Sequence, residues 1–316
     1  MAIFFCFPHD CGYNLVIQTV GAAKFMYFQK IFFTLFFLLI LNSFAAPDIF
    51  SQITSDESAD FRKVVENRLK TVYGTTLDKI CPIETDATAR RIFNEYGAIF
   101  VSVGTALPGE CIFTSDAEVN DYQTRSRPQT ETVNGVLITL QKAAMDALLK
   151  ASADAGKRNL KITPRGGSLA GSRSFNDTVR LWNSRFTPGL NFLVGKRKIS
   201  KTEADAVKAA SIREQVAQVL EWENSGWFFS KDLSKSILYS VAAPGASQHN
   251  FMLALDVEQF SNKEVRKILA DNGWFQTVKS DLPHFTYLGV KESELKKLGL
   301  TEVPVGAQKF WIPNVK

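Results

Sequence analysis

Residues 31–41 read IFFTLFFLLIL, an uninterrupted apolar run with Lys30 just before it and Lys24 nearby. A membrane-spanning helix needs about 20 apolar residues, so this run is too short to cross a bilayer. It matches the roughly 7–15-residue apolar region of a secretory signal. Asn42-Ser43-Phe44-Ala45-Ala46-Pro47 follows, with the small residues Ser43 and Ala45 at the spacing a signal peptidase reads. Cleavage is expected after Ala45, because Pro47 is a poor first residue; an uncleaved anchor is the alternative. Twenty-five residues precede Met26. A start at Met26 gives Met-Tyr-Phe-Gln-Lys and then the apolar run, a normal signal layout. Residues 1–25 are then an upstream extension, and a genuine long leader is the alternative. The first 45 residues also hold ten of the 25 Phe. The Phe excess is therefore mainly an address, and the expected location is secreted or periplasmic.

The remaining chain, residues 46–316, is the part that folds. The whole sequence is 45% hydrophobic and 22% charged, which excludes a disordered or fibrous protein. Removal of Lys24, Lys30 and Asp10 lowers the net charge from +5 to +4. That mild positive balance suits an anionic surface such as a cell wall, and no concentrated basic stripe marks a nucleic-acid partner. Two cysteines remain, Cys81 and Cys111. In an oxidising compartment an even pair suggests one disulfide; two buried thiols are the alternative.

Apolar spacing predicts helices over 57–72, 86–96, 136–155, 175–186, 202–222 and 261–272, the last with Ser261 as N-cap. Short apolar runs predict strands at 98–103, 160–163, 253–257, 275–278 and 285–288. Residues 115–134 are polar and contain Pro128, which suggests a linker or a long surface loop. Strands and helices interleave, with hairpin-like strands near the end. The expected class is α+β, a small mixed or antiparallel sheet with flanking helices.

Two histidines remain outside the leader, His249 and His284, each with a carboxylate nearby: Asp256 seven residues after the first, Asp281 three before the second. Two imidazoles and a carboxylate form a ligand set for catalytic zinc, which leaves one position open. A further carboxylate then serves as general base. On spacing alone a second reading is open: two surface histidines with solvated or capping aspartates.

Ser247-x-His249 followed by Ala254-x-Asp256 resembles the Ser-x-His-x-x-Gly-x-Ala-x-Asp motif of the VanY-type D-alanyl-D-alanine carboxypeptidases. These belong to a zinc peptidase group that includes the L-alanyl-D-glutamate endolysins. Asp281-Leu282-Pro283-His284-Phe285 is similar to that group's second motif in its endolysin form. Gly171-Ser172-Arg173-Ser174-Phe175 is similar to its Ser-Gly-Tyr-Arg-Ser segment, which opens a helix. The three motifs stand in the group's order within residues 135–290. The resemblance implies a zinc peptidase domain over 131–316 with the metal in its cleft, and leaves 46–130 without an assigned role. It implies Zn2+ held by His249, Asp256 and His284, with Asp281 as general base and Arg173 holding substrate through a carbonyl or carboxylate oxygen. Ser247 is a candidate substrate contact. The implied partner is a peptidoglycan stem peptide and the implied reaction is hydrolysis of an amide next to a D-amino acid. Carboxypeptidase, endopeptidase and a non-catalytic wall-binding module of the same fold all remain open. Two positions depart from the pattern: Met252 stands in place of the motif Gly, and Thr178 in place of a Gln that often follows the Arg. N-terminal sequencing of the secreted product is expected to begin at Ala46; a mature end well away from it overturns the cleavage assignment.

Overall fold

The computed structural model describes residues 58–279 and 281–315. The apolar run 31–41 and the cleavage point after Ala45 lie outside them. No helix among the described residues is long and apolar enough to cross a membrane.

The chain enters through α1 (Phe61–Tyr73), the short α2 (Leu77–Ile80) and α3 (Ala87–Tyr96). Asp60 and Asp86 cap α1 and α3 by accepting backbone N–H bonds from the first turn. Residues 98–103 form no strand. Gly97–Val101 continue α3 as a tight, fully buried 3-10 turn, since a short apolar run has no periodicity to separate strand from buried helix. Residues 115–134 are not a linker. They form α4 (Asp116–Arg125), capped by Ser115, and β1 (Pro128–Val133). Their polarity reflects two elements that each expose one face.

The expected helix at 136–155 begins instead as β2 (Val136–Gln141), antiparallel to β1, and only then becomes α5 (Lys142–Gly156). Asn134 and Gly135, both at positive φ, make the two-residue turn between Val133 and Val136. Asn-Gly is the dipeptide such hairpins favour, and once the turn forms the β-branched residues beyond it pair. Residues 160–163 form no strand; an isolated bridge from Pro164 to Val257 is what remains.

α6 (Phe175–Gly195) opens on a capping box in which Ser174 and Asp177 satisfy each other's backbone N–H groups. It runs nine residues beyond the expected end. The predicted helix 202–222 is two, α7 (Lys201–Ala209) and α8 (Ile212–Asn224), because Ser211 and Glu214 form a second capping box that restarts the chain. β3 (Ala254–Asp256) follows. α9 (Lys263–Asp271) is capped by Asn262 rather than Ser261. β4 is only Trp274–Phe275 and β5 is His284–Tyr287. A hairpin that the sequence reading missed, β6 (Leu300–Val305) and β7 (Gln308–Pro313), ends the described chain.

The class is α+β as expected. The central sheet is antiparallel in the order β3-β5-β4, with the two hairpins as separate two-stranded sheets. One apolar cluster includes Phe61 and Phe93 near the start, Trp182 on α6, and Leu255, Trp274 and Phe285 around the central sheet. Cys81 and Cys111 are bonded, with Cα atoms 5.2 Å apart. The bond closes a loop of 30 residues, for which chain entropy gives a stabilisation of about 3–4 kcal/mol. Replacing both cysteines by Ala is expected to lower the unfolding free energy by about that amount in denaturant titration; an unchanged midpoint overturns the assignment.

Candidate metal centre

A strand pair, the turn before it and the segment that carries Gly171 and Arg173 build the site. In the antiparallel register Asp256 on β3 lies directly opposite His284 on β5. Directly opposed residues project from the same face of a sheet, so these side chains meet while Leu255 and Phe285 point into the core on the other face. His249 comes from the turn before β3. There the N–H groups of Asn250, Met252 and Leu253 bond back to the carbonyls of Ser247, His249 and Gln248. Met252 sits at φ +54°, in the left-handed region that glycine prefers. The turn thus needs the conformation of the motif Gly, and Met252 adopts it with its side chain buried.

The three candidate ligand atoms form a nearly equilateral triangle. His249 Nε2 lies 3.2 Å from His284 Nδ1, and Asp256 Oδ1 lies 3.5 and 3.4 Å from them. Bonds of about 2.0–2.1 Å to a tetrahedral zinc imply ligand–ligand edges of about 3.3 Å. In the neutral rings, the group on the far side of each fixes which nitrogen carries the proton. His249 Nδ1 is 2.8 Å from the Gly171 carbonyl, which can only accept, so the ring proton is there. His284 Nε2 is 2.8 Å from Gln248 Oε1. The Gln248 amide cannot be turned around, because its Nε2 donates to the Tyr96 carbonyl at 2.9 Å. His284 therefore carries its proton on Nε2. Two imidazole lone pairs and a carboxylate oxygen face one another in a largely buried place, an arrangement that calls for a cation. Burial, and next the Arg173 charge, lower the His249 pKa to about 4; at neutral pH its nitrogen is free for a metal. Burial opposes the ionisation of Asp256, and the Arg173 guanidinium beside its outer oxygen favours it. The residues present fit a zinc ion.

Arg173 Nη2 pairs with the outer oxygen of Asp256 at 2.5 Å, and its Nε donates to the Leu169 carbonyl. Asp281, Ser247, Tyr96, Thr178, Arg165 and Arg185 join Arg173 and the triad around one cleft of about 400 Å³. The Asp281 carboxylate has no hydrogen-bond or ion-pair partner among the described residues, while its backbone bonds to Val278 and His284. Burial raises its pKa and the Asp256 charge adds to this, while His284 and Arg173 oppose it. Thr178 is buried beside the cleft, where its hydroxyl accepts from the Gly245 N–H. Trp274 and Tyr287 pack against each other in the core.

Sequence reasoning missed the supports. Gln248 holds His284, and Gly171 holds His249 through its carbonyl. Gln123 of α4 donates to the carbonyls of both Arg173 and Asn250. Gly171 has no room for a side chain: a Cβ there falls 2.7 Å from Ile138 and 2.8 Å from the Thr139 carbonyl of β2. Adjacency to His249 was the signal available for Gln248, and Gly171 opens the segment compared with the Ser-Gly-Tyr-Arg-Ser motif; for Gln123 the sequence offered none.

No family model matches the chain, and no curated protein matches it. Among solved structures it is similar to a point mutant of the vancomycin-resistance D,D-pentapeptidase VanY from a VanB-type resistance cassette, in complex with Zn(II). The likeness has 15% identity and a TM-score of 0.30, and covers 52% of this chain and 81% of that one.

The purified chain is expected to bind one zinc ion per molecule, and His249→Ala to lose it. Gln248→Leu, which removes the bond that holds the His284 tautomer, is expected to weaken zinc binding roughly 10–100-fold in a chelator competition assay. Unchanged affinity in a folded Gln248→Leu chain overturns the orienting role.

Proposed function

We propose that this chain is a zinc-dependent peptidase of the cell envelope, cutting an amide next to a D-amino acid in peptidoglycan stem peptides. Release of a terminal D-alanine is its primary reaction. The observation that carries the reading is the His249, Asp256 and His284 triangle, with each ring's second nitrogen tied outward. The order of the three sequence motifs supports the substrate class. The apolar run 31–41 and the Cys81–Cys111 bond support an extracytoplasmic location.

His249, Asp256 and His284 are the ligands in this reading. Bound zinc supplies a Lewis acid and lowers the pKa of its water to about 7. Asp281 accepts the proton of the attacking water as its oxygen adds to the amide carbonyl. It then delivers that proton to the leaving nitrogen as the C–N bond breaks. A carboxylate of raised proton affinity suits both halves of this exchange. Arg173 orients Asp256 through Nη2 and leaves Nη1 for the carbonyl oxygen, where charge develops. Ser247 lines the same cleft as a substrate contact.

Purified muropeptides and the zinc-loaded chain test this. Terminal D-alanine is expected as product, and Asp281→Asn is expected to retain zinc while losing roughly 10²–10⁴-fold in turnover. Internal cleavage reassigns the chain as an endopeptidase. Wall binding without zinc or cleavage reassigns it as a binding module, and full activity in Asp281→Asn overturns the base.

A further inference from the structure

The cleft contains a cation that the proposed chemistry does not use. α6 runs along one wall and presents Thr178, Leu181 and Arg185 to the cleft at intervals of three and four residues, which is one helical face. Arg185 lies about 15 Å along the axis from Phe175, at 1.5 Å per residue. Arg173 and Asp256 neutralise each other, and Arg165 faces Glu258 at 3.9 Å across the rim. Arg185 has no acidic partner among the described residues. Its guanidinium is nevertheless held in place. Nε donates to the Ser240 hydroxyl at 2.8 Å, and Nη1 lies 3.0 Å from the Ser184 hydroxyl and 3.3 Å from its carbonyl. Nη2 makes no hydrogen bond within the described chain. A planar donor fork already fixed by two serines loses little further freedom when a carboxylate docks on its open edge.

We infer that Arg185 is a specificity-determining residue that binds a free carboxylate of the peptide in the cleft. The inference rests on reading the cleft as a peptide site, and it names the class of peptide: one with a free carboxylate, either at its C-terminus or on a side chain. Neutral peptides forgo this contact. The steady positive charge at Arg185 also favours entry of anionic peptides over cationic ones.

The test is calorimetric binding to the zinc-loaded Asp281→Asn chain, which separates binding from turnover. Three versions of one stem peptide are compared: the free acid, its C-terminal amide, and its side-chain carboxamide. Arg185→Gln is expected to weaken the free acid at least about tenfold, in line with loss of a charge-assisted bond. The amide that removes the docked carboxylate should bind the unsubstituted chain equally weakly and be indifferent to Arg185→Gln. That pattern also tells a C-terminal carboxylate from a side-chain one. Arg185→Lys, which keeps the charge without the fork, should fall between. An unchanged thermal midpoint in both variants shows that the fold is intact. Equal weakening of all three peptides, or of none, overturns the inference. Carboxylate-dependent binding with no D-alanine release from the unsubstituted chain leaves the inference standing and sinks the peptidase. Release with no carboxylate preference does the reverse.

Discussion

Three acceptor atoms that repel one another are held within 3.5 Å of each other in a largely buried place. Local preference does not produce such an arrangement, so the surrounding structure must impose it. The Asp256–His284 pair is imposed by the β3–β5 register: slipping either strand by one residue turns its side chain to the other face. His249 is imposed by the turn at 247–252 and by the Gly171 carbonyl. Each ring's outer nitrogen is engaged by an acceptor, so each inner nitrogen is left as a lone pair. The cost of that polar crowding is what a bound cation offsets.

The supports reach far along the chain. Tyr96 at the end of α3 fixes the Gln248 amide, and Gln123 of α4 ties the His249 turn to the segment that carries Arg173. Asn250 does the same from the other side through the carbonyls of Arg173 and Ser174. Phe113, two residues beyond the bonded Cys111, packs at a tilt against Phe251 and approaches Gly245 so closely that a Cβ on Gly245 would lie 1.9 Å from the Phe113 carbonyl oxygen. Residues 61–125 thus act on the site through the Tyr96 carbonyl, the Gln123 amide and packing, none of which makes a motif of its own.

The candidate site residues were legible because metal chemistry accepts few residue types. Beyond residues 1–45 two histidines remain, and each has a carboxylate at short range. The helix after Arg173 was legible from Ser174 and the apolar stripe behind it. Two of the differences share one cause. Ala98–Val101 and Val136–Gln141 are short apolar runs whose conformation depends on neighbours: α3 continues into the first, and β1 pairs with the second. The Asn134-Gly135 turn was a local signal for that hairpin, and the polarity of 115–134 masked it. Met252 is the converse case. The sequence showed a departure from the motif, and only the backbone revealed that the residue keeps the conformation a glycine would have.

By itself the sequence determined which side chains could hold a metal, which further carboxylate stood near them, and which arginine stood by a helix start. Those are properties of residue identity and short spacing. The tertiary structure alone decided the protonation pattern. Which nitrogen of each histidine is bare depends on acceptors 78 and 36 residues away along the chain, at Gly171 and Gln248. It also decided that Arg173 grips Asp256 and that Arg185 stands without an acid. A hydrogen bond between distant segments leaves no periodicity in the chain, so such facts exist only once the fold has brought the partners together.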